Sequence, residues 1–176
     1  MAFSVDDIKG SLKSDGFMSA AHYEMVVDPP VGGGSLLRIR AESVSLPGVS
    51  FASVDQYKPF ATGRTFQIPH TFTPQEISVT HLVDRKGSVI KTLMDWANKV
   101  VDFQGSGDSP YTANYFNTYV KDATILMYDN NGNQQKKITL IQMFPSTIDQ
   151  VQMSWNSSDE MAKLNVSYKF VDYRID

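Results

Sequence analysis

Apolar and polar residues alternate in two runs within the stretch Phe144-Pro-Ser-Thr-Ile-Asp-Gln-Val-Gln-Met-Ser-Trp-Asn-Ser-Ser-Asp-Glu-Met-Ala-Lys-Leu-Asn-Val-Ser-Tyr-Lys-Phe-Val-Asp-Tyr173. The runs cover residues 150–156 and 162–170. Alternation with a period of two residues is typical of a β-strand with one dry face and one solvated face. Because turn-forming residues separate the runs, the sequence predicts an antiparallel pair of strands here.

The solvated face of this predicted pair is polar but carries little charge. Apart from Lys163 and Lys169, it consists of Gln, Ser and Asn side chains. Such a face offers hydrogen bonds without a strongly charged or apolar patch. Taken alone, this composition is that of an ordinary solvated sheet face.

Length and composition predict one domain that spans residues 1–176. No apolar run approaches the roughly 20 residues that cross a bilayer, so we expect no membrane anchor. The first residues include early acidic side chains and no sustained apolar segment; we therefore expect no signal or transit peptide, and folding in the cytoplasm. The absence of cysteine excludes disulfides, thiolate metal sites and thiol nucleophiles.

The charge pattern argues against tight binding of nucleic acid. The formal net charge is −3, and the 16 basic residues are scattered along the chain. A protein that grips DNA neutralises phosphates with clustered Lys and Arg side chains.

The first 70 residues give weaker signals. Residues 1–20 predict an N-terminal arm or a short helix. Residues 23–27 and 36–44 predict a hairpin around a Pro- and Gly-rich tip, which lacks the Gly-Lys-Ser/Thr ending of a phosphate-binding loop. Residues 45–70 predict a long loop with few regular elements, and loops of this length are uncommon in a compact domain unless they have a function.

The middle of the chain predicts a strand followed by the main helix. In residues 73–84, Ile77, Val79 and His81 share one phase, so we expect His81 to be a hydrogen-bonded neutral imidazole facing the core. Residues 88–103 repeat apolar side chains at steps of three and four, which predicts an amphipathic helix that packs on a sheet.

Two features follow the helix. The Tyr111–Tyr119 segment is rich in aromatic residues and has no clear period, and we expect its rings to pack in the core or at an interface. Asn131-Gly132 predicts a tight hairpin between strands at 123–128 and 137–144. Both faces of these strands are partly apolar, so we expect both faces to be covered. We expect Phe144-Pro145 to turn the chain into the next strand.

No catalytic or cofactor motif is present. His22, His70 and His81 are isolated from one another, and no Gly-x-Ser-x-Gly turn occurs. The Asp129–Asn133 segment lacks the bidentate Glu of a calcium loop and is explained as a turn. We therefore predict that the protein is not an enzyme and uses no cofactor or metal.

Several of these features together resemble the tail tube proteins of contractile-tailed bacteriophages. They are the Phe-Pro start at Phe144, a strand closing on Ser154-Trp155, a short acidic turn, and a final Leu-x-Val-x-Tyr-x-Phe strand that ends in Asp172-Tyr173. The resemblance covers most of residues 40–176 and is best over the helix, the Asn131-Gly132 hairpin and residues 144–173.

The resemblance implies a mostly β fold with one main helix, an antiparallel barrel or sandwich of about seven or eight strands that joins neighbouring copies into a ring-shaped barrel. It implies a structural virion protein whose hexameric rings stack into the inner tube of a contractile tail, through which DNA enters the host. The implied partners are further copies of the chain, the tail sheath protein, the baseplate tube initiator and the tail terminator. The tape measure protein and DNA are expected to pass through the lumen without tight binding.

The resemblance also suggests where contacts lie. Residues that reach neighbouring subunits are expected in the 45–70 loop, namely Phe51, Tyr57, Phe60 and Phe66. Residues that line the lumen are expected on solvated strand faces, namely Glu76, Ser78, Gln150, Gln152, Ser154, Asn165 and Ser167.

Other functions stay open at this point. Close relatives of the tail tube are the baseplate proteins that initiate it and the ring proteins of type VI secretion or contractile injection devices. A monomeric β-barrel that binds a small ligand is an alternative of another class, and it would need an apolar cavity with a few convergent polar groups. A hydrolase on a β scaffold is a third.

Overall fold

The computed structural model describes residues 20–56, 66–103, 111–151 and 161–176, together with Val5, Lys9 and Met153. Eleven strands and three helices lie within the four continuous ranges of this part of the chain. The strands are β1 Tyr23–Val27, β2 Ala41–Val44, β3 Val49–Gln56, β4 Phe66–Pro74, β5 Ile77–Leu82, β6 Val101–Asp102, β7 Thr112–Ala113, β8 Lys121–Tyr128, β9 Gln134–Ile148, β10 Lys163–Lys169 and β11 Asp172–Ile175. The helices are α1 Gly34–Arg40, α2 Ser88–Val100 and α3 Phe116–Tyr119.

Seven strands form one antiparallel sheet in the order β1-β8-β9-β10-β5-β2, with β11 also paired to β9. Strand β9 is 15 residues long and serves both halves of the sheet. Its first half pairs with β8 and β11, and its second half pairs with β10. Gln142, with a φ of 55°, marks the change of direction, and its backbone N–H donates to Asp122 Oδ1 at 2.9 Å. The sheet therefore bends around a common core.

The core lies between this bent sheet and α2. The alternation in β5 and β10 buries every second residue, as the sequence predicts. Helix α2 contributes Val89, Leu93 and Trp96, all fully buried. The Trp96 indole N–H donates to the Tyr119 carbonyl oxygen at 2.7 Å, which ties α2 to α3.

The predicted fold class is confirmed: the protein is mostly β and antiparallel, with one main helix. Within the described residues the sheet does not close into a barrel, because its path ends at β1 and β2. A ring-shaped barrel made by several copies stays a prediction. The Asn131-Gly132 hairpin is present, with Gly132 at a φ of 82°.

The predicted pairing of residues 150–156 with residues 162–170 is wrong. Strand β10 has β5 on one edge and the second half of β9 on the other, so both of its edges are occupied. Gln150, Val151 and Met153 lie outside any strand. Phe144-Pro145 does not turn the chain, since both residues lie within β9 next to a bulge, a position at which sheets tolerate proline.

Residues 36–44 do not form the predicted strand. The structure has helix α1 over Gly34–Arg40 and a short strand, β2, that pairs with β5 and not with β1. Helix α2 ends at Val100, before the predicted residue 103, because Val101 turns to an extended conformation and pairs with Ala113.

The 45–70 segment is more regular than the sequence predicts. Strands β3 and β4 pair over eight positions and form a hairpin of their own, which we call the β3–β4 hairpin. Of the predicted N-terminal arm or short helix, Val5 and Lys9 are helical, and most of the rest lies outside the described residues.

Candidate assembly surfaces

The sheet half formed by β2, β5, β10 and the second half of β9 has one buried and one solvated face. The buried side chains of β5 and β10 are Ile77, Val79, His81, Leu164, Val166 and Tyr168. The alternate residues face away from this core and form what we call the polar face: Ser43, Ser78, Thr80, Thr147, Lys163, Asn165 and Ser167, with Leu82 as an apolar member next to Lys163 and with Glu76 and Asp149 at its borders. The sequence predicts this face on residues 150–156 and 162–170, with Glu76 and Ser78 as further candidates, whereas the structure forms it from β2, β5, β10 and the second half of β9.

Hydrogen bonds link the side chains of the polar face across strands. The Ser78 hydroxyl donates to Asn165 Oδ1 at 2.7 Å, and Asn165 Nδ2 donates to Asp149 Oδ2 at 2.8 Å. Ser146 Oγ lies 3.1 Å from both Glu76 Oε2 and the Ser167 carbonyl oxygen. Because these groups bind one another, the face has fewer free donors and acceptors for a passing molecule.

Opposite charges are mixed at this face. Lys163 Nζ lies 2.5 Å from Glu42 Oε1. Lys169 is exposed at the end of β10, while Glu76 and Asp149 supply carboxylates. The face therefore has no single-sign field that would hold a charged polymer.

Both edges of this sheet half are open in the described chain. The outer edge of β2 has no paired strand, although the Tyr23 hydroxyl donates to the Glu42 carbonyl oxygen. The outer edge of β9 at Ser146–Ile148 is also unpaired, because β11 pairs with β9 only over Ile138–Ile141. Unpaired sheet edges are templates for pairing with another chain.

The β3–β4 hairpin exposes apolar side chains on both of its faces. Phe51 and Phe72 are cross-strand partners on one face, with ring centroids 6.2 Å apart. Val54 and Ile68 are partners on the other face. All four are between 41% and 62% exposed. Phe72 also packs against Tyr173 of β11, with ring centroids 6.4 Å apart, so one face of the hairpin rests in part on its own subunit. A two-stranded ribbon is at best marginally stable in water, so the apolar area that stays exposed favours a further packing partner.

A second exposed apolar surface lies at the end of α2 and around α3. We call it the aromatic patch, and it consists of Phe103, Tyr111, Tyr115 and Phe116, which are 42%, 73%, 90% and 39% exposed. Its base is rigid, because Phe116 and Tyr119 both pack edge-on against Phe144 with ring centroids 6.2 and 5.5 Å away.

The predicted contact residues have different outcomes. Phe51 lies exposed on the β3–β4 hairpin, and Phe66 pairs with Gln56 in the backbone of β4. Tyr57 and Phe60 lie outside the described residues. Val54, Ile68 and Phe72 are not among the predicted contact residues, because the sequence predicts a loop over 45–70; the alternation of Phe66, Ile68, His70 and Phe72 is the signal that indicates β4.

The predicted lumen residues also differ in position. Ser78, Asn165 and Ser167 lie on the polar face and Glu76 lies at its border. Gln150 is exposed just after β9, and Gln152 and Ser154 lie outside the described residues. That any of these residues faces a lumen stays a prediction.

His81 is a core residue, as predicted. It is fully buried, and its Nε2 lies 3.3 Å from the Tyr168 hydroxyl oxygen. Burial lowers the pKa of His81 to about 4, so the imidazole is neutral at pH 7.

Across the described ranges, no three His, Asp or Glu side chains are grouped closely enough to hold a metal ion. None of the described helices is long and apolar enough to cross a membrane.

A polar-faced sheet with open edges, together with two separate exposed apolar surfaces, is typical of a protein that assembles with other chains. The model of the phage tail tube protein family matches residues 4–176, and the chain belongs to this family. It is therefore a structural subunit of a tail tube.

Solved structures share the fold at low sequence identity. A chain of the PVC sheath-tube complex of an extracellular contractile injection system matches with a TM-score of 0.67 and 14% identity, covering 99% of both chains. A chain of the anti-feeding prophage baseplate matches with a TM-score of 0.64 and 7% identity, covering 90% of this chain and 94% of the other. Hcp1 from Flavobacterium johnsoniae matches with a TM-score of 0.51 and 10% identity, covering 88% and 94%. No curated protein sequence matches the chain.

Proposed function

We propose that six copies of this chain form a ring, and that the rings stack into the inner tube of a contractile phage tail through which DNA enters the host. The observation that carries this proposal is the sheet half with a polar face and two open edges. Joining the β2 edge of one copy to the β9 edge of the next pairs the open backbone groups and removes both edges.

The dimensions of such a ring suit a conduit. Six copies of a four-stranded sheet half give a barrel of about 24 strands. With about 4.8 Å between neighbouring strands, its backbone diameter is about 37 Å for upright strands and larger for tilted ones. After two layers of side chains, this leaves room for a DNA duplex.

The polar face is the surface that would line the lumen, with Glu76, Ser78, Asn165 and Ser167 on it and Gln150, Gln152 and Ser154 following β9. Its hydrogen bonds are largely internal and its charges are mixed. Such a surface releases no counterions when a phosphate backbone passes, so DNA and the tape measure protein would move along it without tight binding.

The β3–β4 hairpin is the element that would contact a neighbouring copy. Its apolar side chains stay partly exposed on both sides in the single subunit, although Phe72 also packs against Tyr173 of β11. Phe51 and Phe66 lie on its two strands, and Tyr57 and Phe60 belong to the segment between them.

The remaining partners are the proteins that a tube inside a contractile tail would contact. They are the sheath protein around the tube, the baseplate initiator at one end and the terminator at the other. Solved chains with this fold belong to a sheath-tube complex, a baseplate and a tube-terminating cap. The subunit would be made in the host cytoplasm and end in the virion, and its role is structural and not enzymatic.

A second candidate is the tube of a contractile injection device. The likeness to the PVC sheath-tube complex over 99% of the chain favours it. Both candidates require the same ring, and they differ in what passes through the lumen.

Negative-stain electron microscopy of the purified, concentrated protein tests the ring. We expect hollow rings or tubes, alone or after addition of the tube-initiating partners. Small particles at every concentration, also with those partners, would contradict the proposal. A ligand-dependent rise in melting temperature would then favour a monomeric binding module.

A further inference from the structure

The β8–β9 turn, Asp129–Asn133, contains the single Asn-Gly pair of the chain, Asn131-Gly132. Glycine has no Cβ, so its backbone nitrogen can approach the side chain of the residue before it with little steric hindrance. Asparagine followed by glycine is for this reason the arrangement in which a backbone nitrogen most readily attacks a side-chain amide. Both residues are exposed in the structure, so water reaches the amide group.

The side chain of Asn131 is not held by the fold. Its amide group makes no hydrogen bond to the part of the chain that the structure describes, whereas other asparagines are tied down. Asn133 Nδ2 donates to Asp129 Oδ2 at 3.3 Å, and Asn165 Nδ2 donates to Asp149 Oδ2 at 2.8 Å. Both of these asparagines also precede residues with large side chains. Asn131 therefore combines a free amide with an unhindered neighbour.

We propose that Asn131 is a site of spontaneous deamidation, and that Asp129 sets the rate by holding the turn closed. The Gly132 backbone nitrogen loses its proton to water or hydroxide and attacks Cγ of Asn131, which forms a carbon–nitrogen bond and a five-membered succinimide ring. The bond between Cγ and Nδ2 breaks, and Nδ2 takes up a proton and leaves as ammonia. Water then opens the ring at either of its two carbonyl carbons and gives aspartate or isoaspartate.

Asp129 closes the turn through both its backbone and its side chain. Its carbonyl oxygen accepts the Gly132 N–H at 3.1 Å. Its Oδ1 accepts the backbone N–H groups of Asn131 and Asn133, each at 2.8 Å. The Gly132 nitrogen can attack only after its N–H leaves the Asp129 carbonyl oxygen. Every bond that keeps the turn closed therefore slows the reaction.

The bonds to the Asp129 carboxylate persist where deamidation proceeds. The reaction accelerates as the pH rises, because the attacking nitrogen must lose its proton. Hydrogen bonds, foremost the one from the Asn133 backbone N–H, hold the pKa of the Asp129 carboxyl below its ordinary value. The carboxylate is therefore charged at neutral and alkaline pH, and hydrogen bonds to a charged acceptor are stronger than neutral ones.

Deamidation would alter the turn in two ways. Either product adds one negative charge close to the Asp129 carboxylate, in a chain whose formal net charge is −3, and the like charges repel. Isoaspartate also lengthens the backbone by one carbon atom, which displaces an N–H group now bound to Asp129 Oδ1. The turn would open and weaken the adjoining backbone pair, Tyr128 with Gln134.

Peptide mapping of the full chain tests the proposal. The folded protein is incubated at neutral and at mildly alkaline pH, digested and analysed by mass spectrometry, which detects the exchange of an amide NH₂ for OH. Protein that was not incubated is carried through the same digestion. We expect modification at Asn131 before any other asparagine, as a mixture of isoaspartate and aspartate, and faster at the higher pH. Asn131→Gln should abolish the signal, because a six-membered ring forms far more slowly here.

Two substitutions test the part played by Asp129. Asp129→Ala should speed the deamidation of Asn131 about tenfold, because loss of a hydrogen bond to a charged acceptor changes an equilibrium by about that factor. Asp129→Asn keeps an acceptor oxygen and should give an intermediate rate. The control Asp55→Ala removes an exposed carboxylate on β3 and should leave the rate unchanged.

Two further readings separate opening of the turn from unfolding. Circular dichroism before incubation shows whether each variant is folded, and the wild-type chain in urea gives the upper limit of the rate. Deamidation of the other asparagines should be the same in Asp129→Ala as in the wild type, since only this turn is released.

Three results would overturn the inference. Deamidation of Asn131 in urea but not in the folded chain would mean that the turn does not open on this timescale. Modification that starts at another asparagine, such as Asn156, would place the site elsewhere. An unchanged rate in Asp129→Ala would remove Asp129 from control of the reaction. None of these outcomes depends on ring formation, so they are independent of the proposed function.

Discussion

His81 Nε2 lies 3.3 Å from the hydroxyl oxygen of Tyr168, and both side chains are fully buried between β5, β10 and α2. The two rings meet edge-on, and Tyr168 also packs against Trp96 at a centroid distance of 5.9 Å. His81 Nδ1 has no hydrogen-bond partner, so protonation would put an uncompensated charge into the core.

This burial predicts acid sensitivity of the subunit. The folded-state pKa of His81 is about 4, below its ordinary 6.5, so between these values the unfolded chain binds a proton that the folded chain does not. Stability is therefore fully present above pH 6.5 and falls as the pH drops toward 4, by at most about 3 kcal/mol. Urea unfolding of the monomer at pH 7 and pH 4.5 should show the loss.

Two variants isolate the contribution of His81. His81→Gln removes the titrating group and should flatten the pH dependence between pH 6.5 and 4.5, although it lowers stability at pH 7. His22→Gln changes an exposed histidine and should keep the wild-type slope. An unchanged slope in His81→Gln would show that other groups cause the acid sensitivity.

The bond between α2 and α3 gives a second prediction. Trp96→Phe removes the indole N–H, leaves the Tyr119 carbonyl oxygen without its donor and opens a small cavity. We expect a loss of about 2–3 kcal/mol in the free energy of unfolding by urea. Tyr119→Phe keeps both the ring and the carbonyl and should cost less than about 0.5 kcal/mol. Equal losses would mean that the Tyr119 hydroxyl contributes as much as the indole N–H, and that the loss in Trp96→Phe does not single out this hydrogen bond.

Local sequence patterns predicted the elements whose conformation follows from the spacing of their own apolar, polar and turn-forming residues. Alternation identified β5 and β10, a step of three and four residues identified α2, and Asn131-Gly132 identified the β8–β9 turn. The polar face followed from the same alternation.

Pairing between distant strands could not be predicted in this way. The neighbours of β10 are set by pairing along both of its edges. The alternation at residues 150–156 does not reveal that the second half of β9 pairs with β10 in place of these residues. Helix α1 was missed because Leu-Leu-Arg-Ile-Arg alternates like a strand, while its buried Leu37 packs in the core. The aromatic patch has no period, so only its exposure in the fold reveals it as a surface.

The β8–β9 turn supplies a third prediction. Gly132 has a φ of 82°, and a Cβ added there would meet no atom within 4 Å. The cost of Gly132→Ala is therefore conformational alone, about 1–2 kcal/mol in thermal or urea unfolding. Gly132→Asn should be milder, because asparagine tolerates this backbone region better. Equal destabilisation by both would show that the turn does not keep this φ in solution.

The proposed lumen gives the last prediction. Ser167→Cys places the only thiol of the chain on the polar face, and Lys91→Cys places it on the exposed side of α2, beyond the core. If the polar face lines the lumen, a maleimide attached to a bulky polymer should label Ser167→Cys quickly in monomers and at least tenfold more slowly in tubes. Lys91→Cys should react at similar rates in both, unless sheath protein is added. Fast labelling of Ser167→Cys in intact tubes would put the polar face on the outside, and the open edges of β2 and β9 would then have to join in the opposite orientation.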